Sequence, residues 1–301
     1  MAMLKPLFLM PYLFFKSWRH LSKLKPALCV GFGSFVSYPG VRTAKWMGIP
    51  VLIHEQNRYA GKATRWLVPH ADQIAESFPG TGFPEGCRNV RTVGLPLRES
   101  VLTGSGAARM RSEKLRILVM GGSQGAHGLN RAVIRALEAL NPEEKSKIAV
   151  THITGSKDQA EVGECYCRMG LTFNVLSFSR DMPTLFMNTD LAVTRAGANT
   201  LFELAFYGIP AFVIPFPHAG GHQKLNARSF AERGGLDYHD EDKEAPEWLT
   251  RKLRGAINGS LNLDRMALAI KELARPDAGN ELVRIARELI TEHEDHKRRP
   301  C

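Results

Sequence analysis

The chain has 301 residues, 44% hydrophobic and 23% charged, which excludes a disordered tail, a collagen-like repeat and a small disulfide scaffold, and leaves room for two domains at roughly 150 residues each. Its 40 Lys+Arg against 30 Asp+Glu give a net charge of +10, and residues 1–100 hold 13 of the basic side chains against 5 acidic ones, so most of the excess lies in the first third. That excess asks for an anionic partner, whether nucleic acid, anionic lipid or a phosphorylated substrate.

No zinc-finger or RNA-recognition pattern supports nucleic acid. The five cysteines form no framework and no zinc spacing, and read as thiols in a reducing cytoplasm. At the N-terminus, residues 7–15 (LFLMPYLFF) are too few to span a bilayer, which takes roughly 20 residues. No small-residue cleavage site follows them. The pattern fits an amphipathic helix through Leu13, Phe14, Trp18 and Leu21, edged by Lys16, Arg19, Lys23 and Lys25. Two readings stand: a core helix with a solvated basic edge, or a helix resting on an anionic membrane, where each nearby cation adds on the order of 1 kcal/mol.

From Pro26 strands and helices alternate. Residues 27–31 read as a strand entering a glycine turn, 41–47 as helix and 49–54 as strand. A linker-like stretch covers 103–114, after which the pattern restarts with strand 115–120, the turn GGSQGA and helix 129–140. Strands are then expected at 148–153, 173–178, 191–194 and 211–215, helices at 200–207 (closed by Gly208), from Asn226 to Arg233, and at 280–293. Short apolar runs feeding Gly-rich turns and helices are the pattern of parallel α/β layers, with ligands at the carboxyl ends of the strands.

Four constellations carry chemistry. Residues 121–126 (GGSQGA) follow a strand and open a helix whose N–H groups can meet an anion; the spacing is neither G-x-G-x-x-G nor a Walker loop. In 195–204 (RAGANTLFEL), Glu203 is expected within the first turn of a helix, either as a dipole-favoured capping residue or as an acceptor for ribose hydroxyls. The loop 215–227 carries His222, Gln223 and Asn226, neutral groups suited to sugar hydroxyls. The cluster His54-Glu55-Gln56-Asn57 closes a strand. A D-x-D at Asp240 and Asp242 lies in a charge-dense stretch with no strand before it and reads as a solvated loop.

Taken in order, GFGSFVSYPG, IPVLIHEQN, GGSQGA, RAGA.T..EL and HQ..NA resemble the MurG family of glycosyltransferases over nearly the whole chain from about Tyr12. The resemblance implies an α/β GT-B fold of two Rossmann-like domains facing a cleft: 1–108 on the acceptor and membrane side, 109–279 binding the UDP-sugar, and 280–301 as a C-terminal helix and tail. It implies an inverting, metal-independent and cofactor-free transfer of N-acetylglucosamine from UDP-N-acetylglucosamine to the C4 hydroxyl of undecaprenyl-diphospho-N-acetylmuramoyl-pentapeptide. The expected location is peripheral, on the cytoplasmic face of the inner membrane, with no nucleic-acid partner.

Matched position by position, the resemblance places Ser123 and Gln124 at the diphosphate, Ser179 at the uracil and Gly197, Ala198, Asn199, Thr200, Leu201 and Phe202 at the nucleotide. Glu203 falls on the ribose, His222 and Gln223 on the N-acetylglucosamine, Asn226 in the same motif and Arg98 near the donor. Glu55 and Asn57 face the acceptor, with Glu55 the candidate base. The family pattern has a strand and a G-x-G-G-H loop ahead of residue 1 that nothing in 1–30 replaces, so the N-terminal domain is expected to lack its first strand-loop-helix unit. Gly33-Ser34-Phe35 replaces Gly-Gly-Tyr, and Thr64 replaces an asparagine. A UDP-sugar-binding remnant without turnover, or a GT-B enzyme with another lipid acceptor, therefore remain alternatives. An unpaired sheet edge would make the chain poorly soluble.

Overall fold

A computed structural model describes residues 5–104, 112–122, 126–217 and 221–298. The chain forms two compact units, one of 1–96 with 277–301, the other of 97–276. The division falls at Pro96, earlier than the glycine-rich stretch suggested, and the C-terminal helix belongs with the first unit.

The first unit runs α1 (Lys5–Leu24), β1 (Cys29–Gly31), α2 (Ser37–Trp46), β2 (Val51–Glu55), α3 (Lys62–Leu67), β3 (Gln73–Glu76) and β4 (Val90–Thr92). Its strands make one parallel sheet in the order β1-β2-β3-β4. β2 is buried along its whole length, as a strand covered on both faces must be. Val41, Ala44, Val51, Ile53 and Leu67 fill one face of the sheet. Leu52, Ala75 and Val93 fill the other, against Leu282 and Ile285 of the last helix.

The second unit runs α4 (Glu99–Thr103), β5 (Leu115–Met120), α5 (His127–Glu138), α6 (Pro142–Ser146), β6 (Ile148–Ile153), α7 (Gln159–Arg168), β7 (Thr172–Leu176), α8 (Met182–Met187), β8 (Leu191–Thr194), α9 (Ala198–Tyr207), β9 (Ala211–Val213), α10 (His222–Ala231), β10 (Leu236–Tyr238), α11 (Ala245–Ile257) and α12 (Leu263–Lys271). The chain then returns to the first unit through α13 (Ala278–Arg298), which Arg91 ties to β4 through Glu288 at 2.5 Å. The sheet order is β10-β9-β8-β5-β6-β7, all parallel. α5 turns Leu129, Val133, Ala136 and Leu137 into the core at helical spacing, beside Leu249 and Leu253 of α11. α9 stops at Gly208, whose φ of 62° is the left-handed conformation that glycine adopts without cost.

The structure divides the expected apolar stripe of α1. Leu21 packs into the core beside Tyr38, and Phe14 stacks on Trp46 at 5.2 Å, whereas Leu13, Phe15 and Trp18 are exposed. Among the described residues, no helix is long and apolar enough to cross a membrane.

Candidate active site

In the second unit the chain moves from β5 outward through β6 to β7, then returns to lay β8, β9 and β10 on the opposite side of β5. The topological switch point is therefore the carboxyl end of the β5–β8 pair, where open parallel sheets bind their ligands. Thr194 fastens the two strand ends together, its Oγ1 donating to the Met120 carbonyl at 2.8 Å. β5 passes into Gly121 and Gly122, the latter at φ 101°. A Cβ on Gly121 would overlap Ala126, so the two ends of the turn close on each other and only glycine fits. Ser123 and Gln124 lie outside the described residues.

β8 passes through Arg195 and Ala196 to Gly197, an extended N-cap residue with no side-chain cap on α9. Asn199 is exposed and Thr200 half-buried at the start of this helix. Ala198, Leu201 and Phe202 point the other way. Leu201 is fully buried, and Phe202 packs edge-on against Phe230 at 5.5 Å, so these three offer a ligand no more than backbone.

Glu203 is buried, with 8% of its side chain exposed, and its Oε1 accepts from Nη2 of Arg98 at 3.1 Å. Burial pushes its carboxyl above the ordinary value, and Arg98 opposes that shift. Arg98 is itself 68% exposed. It is the N-cap residue of α4, a helix held to α9 by the Tyr207 hydroxyl, which donates to the Val101 carbonyl at 2.8 Å.

α10 supplies the clamp. Gln223 Oε1 accepts from the backbone N–H of Ala196 at 3.0 Å and of Phe216 at 2.9 Å, and so joins the ends of β8 and β9. With both lone pairs used, its remaining polar reach is the amide nitrogen. Asn226 is fully buried and donates to the Ala196 carbonyl at 3.2 Å. It thereby supports the turn before α9. His222, half-buried, is the first residue of this helix.

Arg195 is pinned to Glu241 at 2.9 Å and to the Ile214 carbonyl at 3.0 Å. Lys224 holds Asp240, while Asp242 accepts from the N–H groups of Glu244 and Ala245 at the start of α11. The D-x-D thus orders a loop. Ser179, between β7 and α8, accepts from the Asp181 N–H at 3.2 Å.

Models of two domains match: the glycosyltransferase family 28 C-terminal domain over residues 116–282 and the family's N-terminal domain over 2–76. The chain belongs to glycosyltransferase family 28. Within that family it is a MurG homologue. It is 36% identical over 285 residues to the UDP-N-acetylglucosamine--N-acetylmuramyl-(pentapeptide) pyrophosphoryl-undecaprenol N-acetylglucosamine transferase of Anaeromyxobacter sp. (strain K), covering 94% of this chain and 74% of the relative. It is 35% identical over 290 residues to the protein of the same name from Pseudomonas fluorescens, covering 96% and 80%. The crystal structure of Acinetobacter baumannii MurG superposes with a TM-score of 0.76 at 32% identity, over 91% of this chain and 78% of that one. The two parallel sheets, the smaller one N-terminal, are the GT-B fold of MurG.

The family 28 N-terminal unit carries its own polar cluster at the carboxyl ends of β2 and β3. Glu55 is buried. Its Oε1 accepts from the backbone and side-chain nitrogens of Asn57 at 3.0 and 3.3 Å, and its Oε2 from the Gly61 N–H at 3.3 Å. The carboxylate therefore orders the loop into α3, with Asn57 donating to it twice. Glu76, its register partner on β3, organises the next loop, accepting from Gly80, Thr81 and Thr92. His54 is buried, its ring nitrogen within 3.1 Å of the Gly94 carbonyl, and burial lowers its pKa.

Sequence reasoning missed the Gln223 clamp and a buried polar chain behind α5, because their partners are far apart in the chain. The one available signal was a histidine and an asparagine placed within otherwise apolar elements, His152 on β6 and Asn130 on α5.

Proposed function

We propose that the protein transfers N-acetylglucosamine from UDP-N-acetylglucosamine to the C4 hydroxyl of undecaprenyl-diphospho-N-acetylmuramoyl-pentapeptide, by a single inverting displacement. The observation that carries this reading is Glu203. It is a buried carboxylate in the second turn of α9, one turn beyond the place expected from the sequence, and its Oε1 is held by an arginine. A charged acceptor there suits the two hydroxyls of a ribose and contributes roughly 1.5–3 kcal/mol. The starts of α5 and α9 direct positive potential at the diphosphate, and this potential rises in value as UDP leaves. Gly197, Asn199 and Thr200 meet the nucleotide, Ser179 the uracil, Ser123 and Gln124 the diphosphate, and His222 with the Gln223 amide nitrogen the sugar.

The exposed Leu13, Phe15 and Trp18 of α1, interleaved with Lys16 and Arg19, suit an anionic lipid surface. They would hold the protein peripherally on the cytoplasmic face of the membrane that presents the acceptor. Because Glu55 is engaged by its own loop, a second reading is UDP-sugar binding without turnover.

The test is incubation with UDP-N-acetylglucosamine and the lipid acceptor in detergent, with product mass read by mass spectrometry. Gain of one N-acetylhexosamine supports transfer. Binding of the nucleotide sugar without product supports the second reading, and absence of binding refutes both. Competing UDP-sugars in the same mixture decide donor identity.

A further inference from the structure

Behind α5 runs a chain of five polar side chains with one exposed end. Asn130 and His152 are fully enclosed, as is Tyr166. Asn130 Nδ2 donates to the Thr154 carbonyl at 3.0 Å and to Asp158 Oδ2 at 2.7 Å. Its Oδ1 therefore accepts from His152 Nε2–H at 3.0 Å. That tautomer leaves His152 Nδ1 as acceptor for the Tyr166 hydroxyl at 2.7 Å. Burial lowers the His152 pKa to about 3, so the ring is neutral and the order of donors is fixed.

The chain ends on Asp158, which occupies the N-cap position of α7 yet makes no cap hydrogen bond. Both of its carboxylate oxygens instead lie 3.1 Å from Nδ1 of His127. His127 is the first residue of α5, directly after the glycine turn at the switch point, and most of its side chain is in solvent. An Asp–His pair of this form holds Nδ1–H on the carboxylate and stabilises the imidazolium that an anionic ligand draws out, so that Nε2–H faces the ligand as a donor. Glu241, the other carboxylate near the first turn of α5, is neutralised by Arg195.

We infer that His127 contacts the donor's diphosphate through Nε2, and that Asp158 and Asn130 are positioning residues which hold its ring there. This rests on the reading of the second unit as a nucleoside-diphosphate site. Burying three polar side chains without loss requires that all be satisfied; the second amide hydrogen of Asn130 is met by Asp158, the same carboxylate that holds His127.

The experiment is calorimetric titration of the full chain with UDP, and with uridine by displacement. His127→Ala, an exposed change that leaves the core intact, weakens UDP roughly tenfold or more and leaves uridine unchanged. His127→Lys restores most of the loss, since an ammonium donor can take the place of Nε2–H. Asn130→Ala weakens UDP but adds nothing when His127 is already alanine, which a merely structural role would not produce. Wild-type chain that binds neither ligand overturns the donor reading and this inference together. Wild-type chain that binds UDP, with His127→Ala unchanged, overturns the inference alone.

Discussion

Replacing Glu203 with Gln sets stability against binding in one side chain. The carboxylate is 8% exposed and its ion-pair partner, Arg98, is 68% exposed. Desolvation of a buried carboxylate costs several kcal/mol, whereas a pair with one partner in solvent returns about 0.2–1 kcal/mol. The raised pKa of Glu203 has that origin. A folded-state value above the ordinary 4.5 means that the ionised carboxylate destabilises the fold above the raised value. The penalty fades as pH falls through the window, and it is absent below the unfolded value. Glu203→Gln keeps an acceptor for Arg98 and removes the charge, so we expect a gain of about 1 kcal/mol near pH 7.5, or roughly 2–4 °C for a unit of this size. The same change loses roughly tenfold to a hundredfold in UDP affinity. Thermal unfolding by circular dichroism from pH 4 to 8, with UDP calorimetry alongside, reads both. A variant that is less stable than wild type at pH 7.5 would show that the ion pair outweighs desolvation, and unchanged UDP affinity would remove Glu203 from the site.

Gln223→Ala strands the Ala196 N–H and costs about 1–3 kcal/mol in urea unfolding, with Gln223→Glu recovering most of it because the acceptor oxygen returns. Gly33→Ala forces a side chain to φ 74° with Thr64 Oγ1 only 3.1 Å from its Cβ, a loss of about 1–2 kcal/mol. Gly40→Ala, inside α2 with open space around it, gains about 0.5–1 kcal/mol in the same unfolding series. Phe15→Ser with Trp18→Ser lowers partition onto anionic vesicles roughly tenfold or more, measured by sedimentation, and leaves UDP binding unchanged.

Strands built from continuous apolar runs were legible without coordinates. Residues 115–120, 148–153 and 191–194 all form strands where expected, because burial on both faces leaves that pattern in the sequence. β3 (QIAE) was not legible, since half of it is polar. Gln73 and Glu76 are accommodated there because Asn89, Gly80 and Thr81 from later loops and Thr92 of β4 meet them. The same blindness explains Glu55. Its residue type and place at a strand end suit a general base, but three donors from its own loop engage the carboxylate, and residue type does not reveal how a lone pair is used.

The motifs read separately in the second unit form one structural device. RAGA and HQ..NA are separated in the chain by a helix and a strand, yet Gln223 and Asn226 grip the two sides of Ala196, one accepting from its N–H and the other donating to its carbonyl. Gln223 also holds Phe216 at the end of β9. The backbone immediately before the α9 start is thereby fixed from within α10, and a side chain committed to that task has little left for a sugar. Preorganised backbone of this kind stabilises developing charge without reorganising at the moment of reaction. The polar residues Gln223 and Asn226 of HQ..NA therefore hold the turn before α9 in place, and on the proposed function recognition of the sugar would fall to His222 and the amide nitrogen of Gln223.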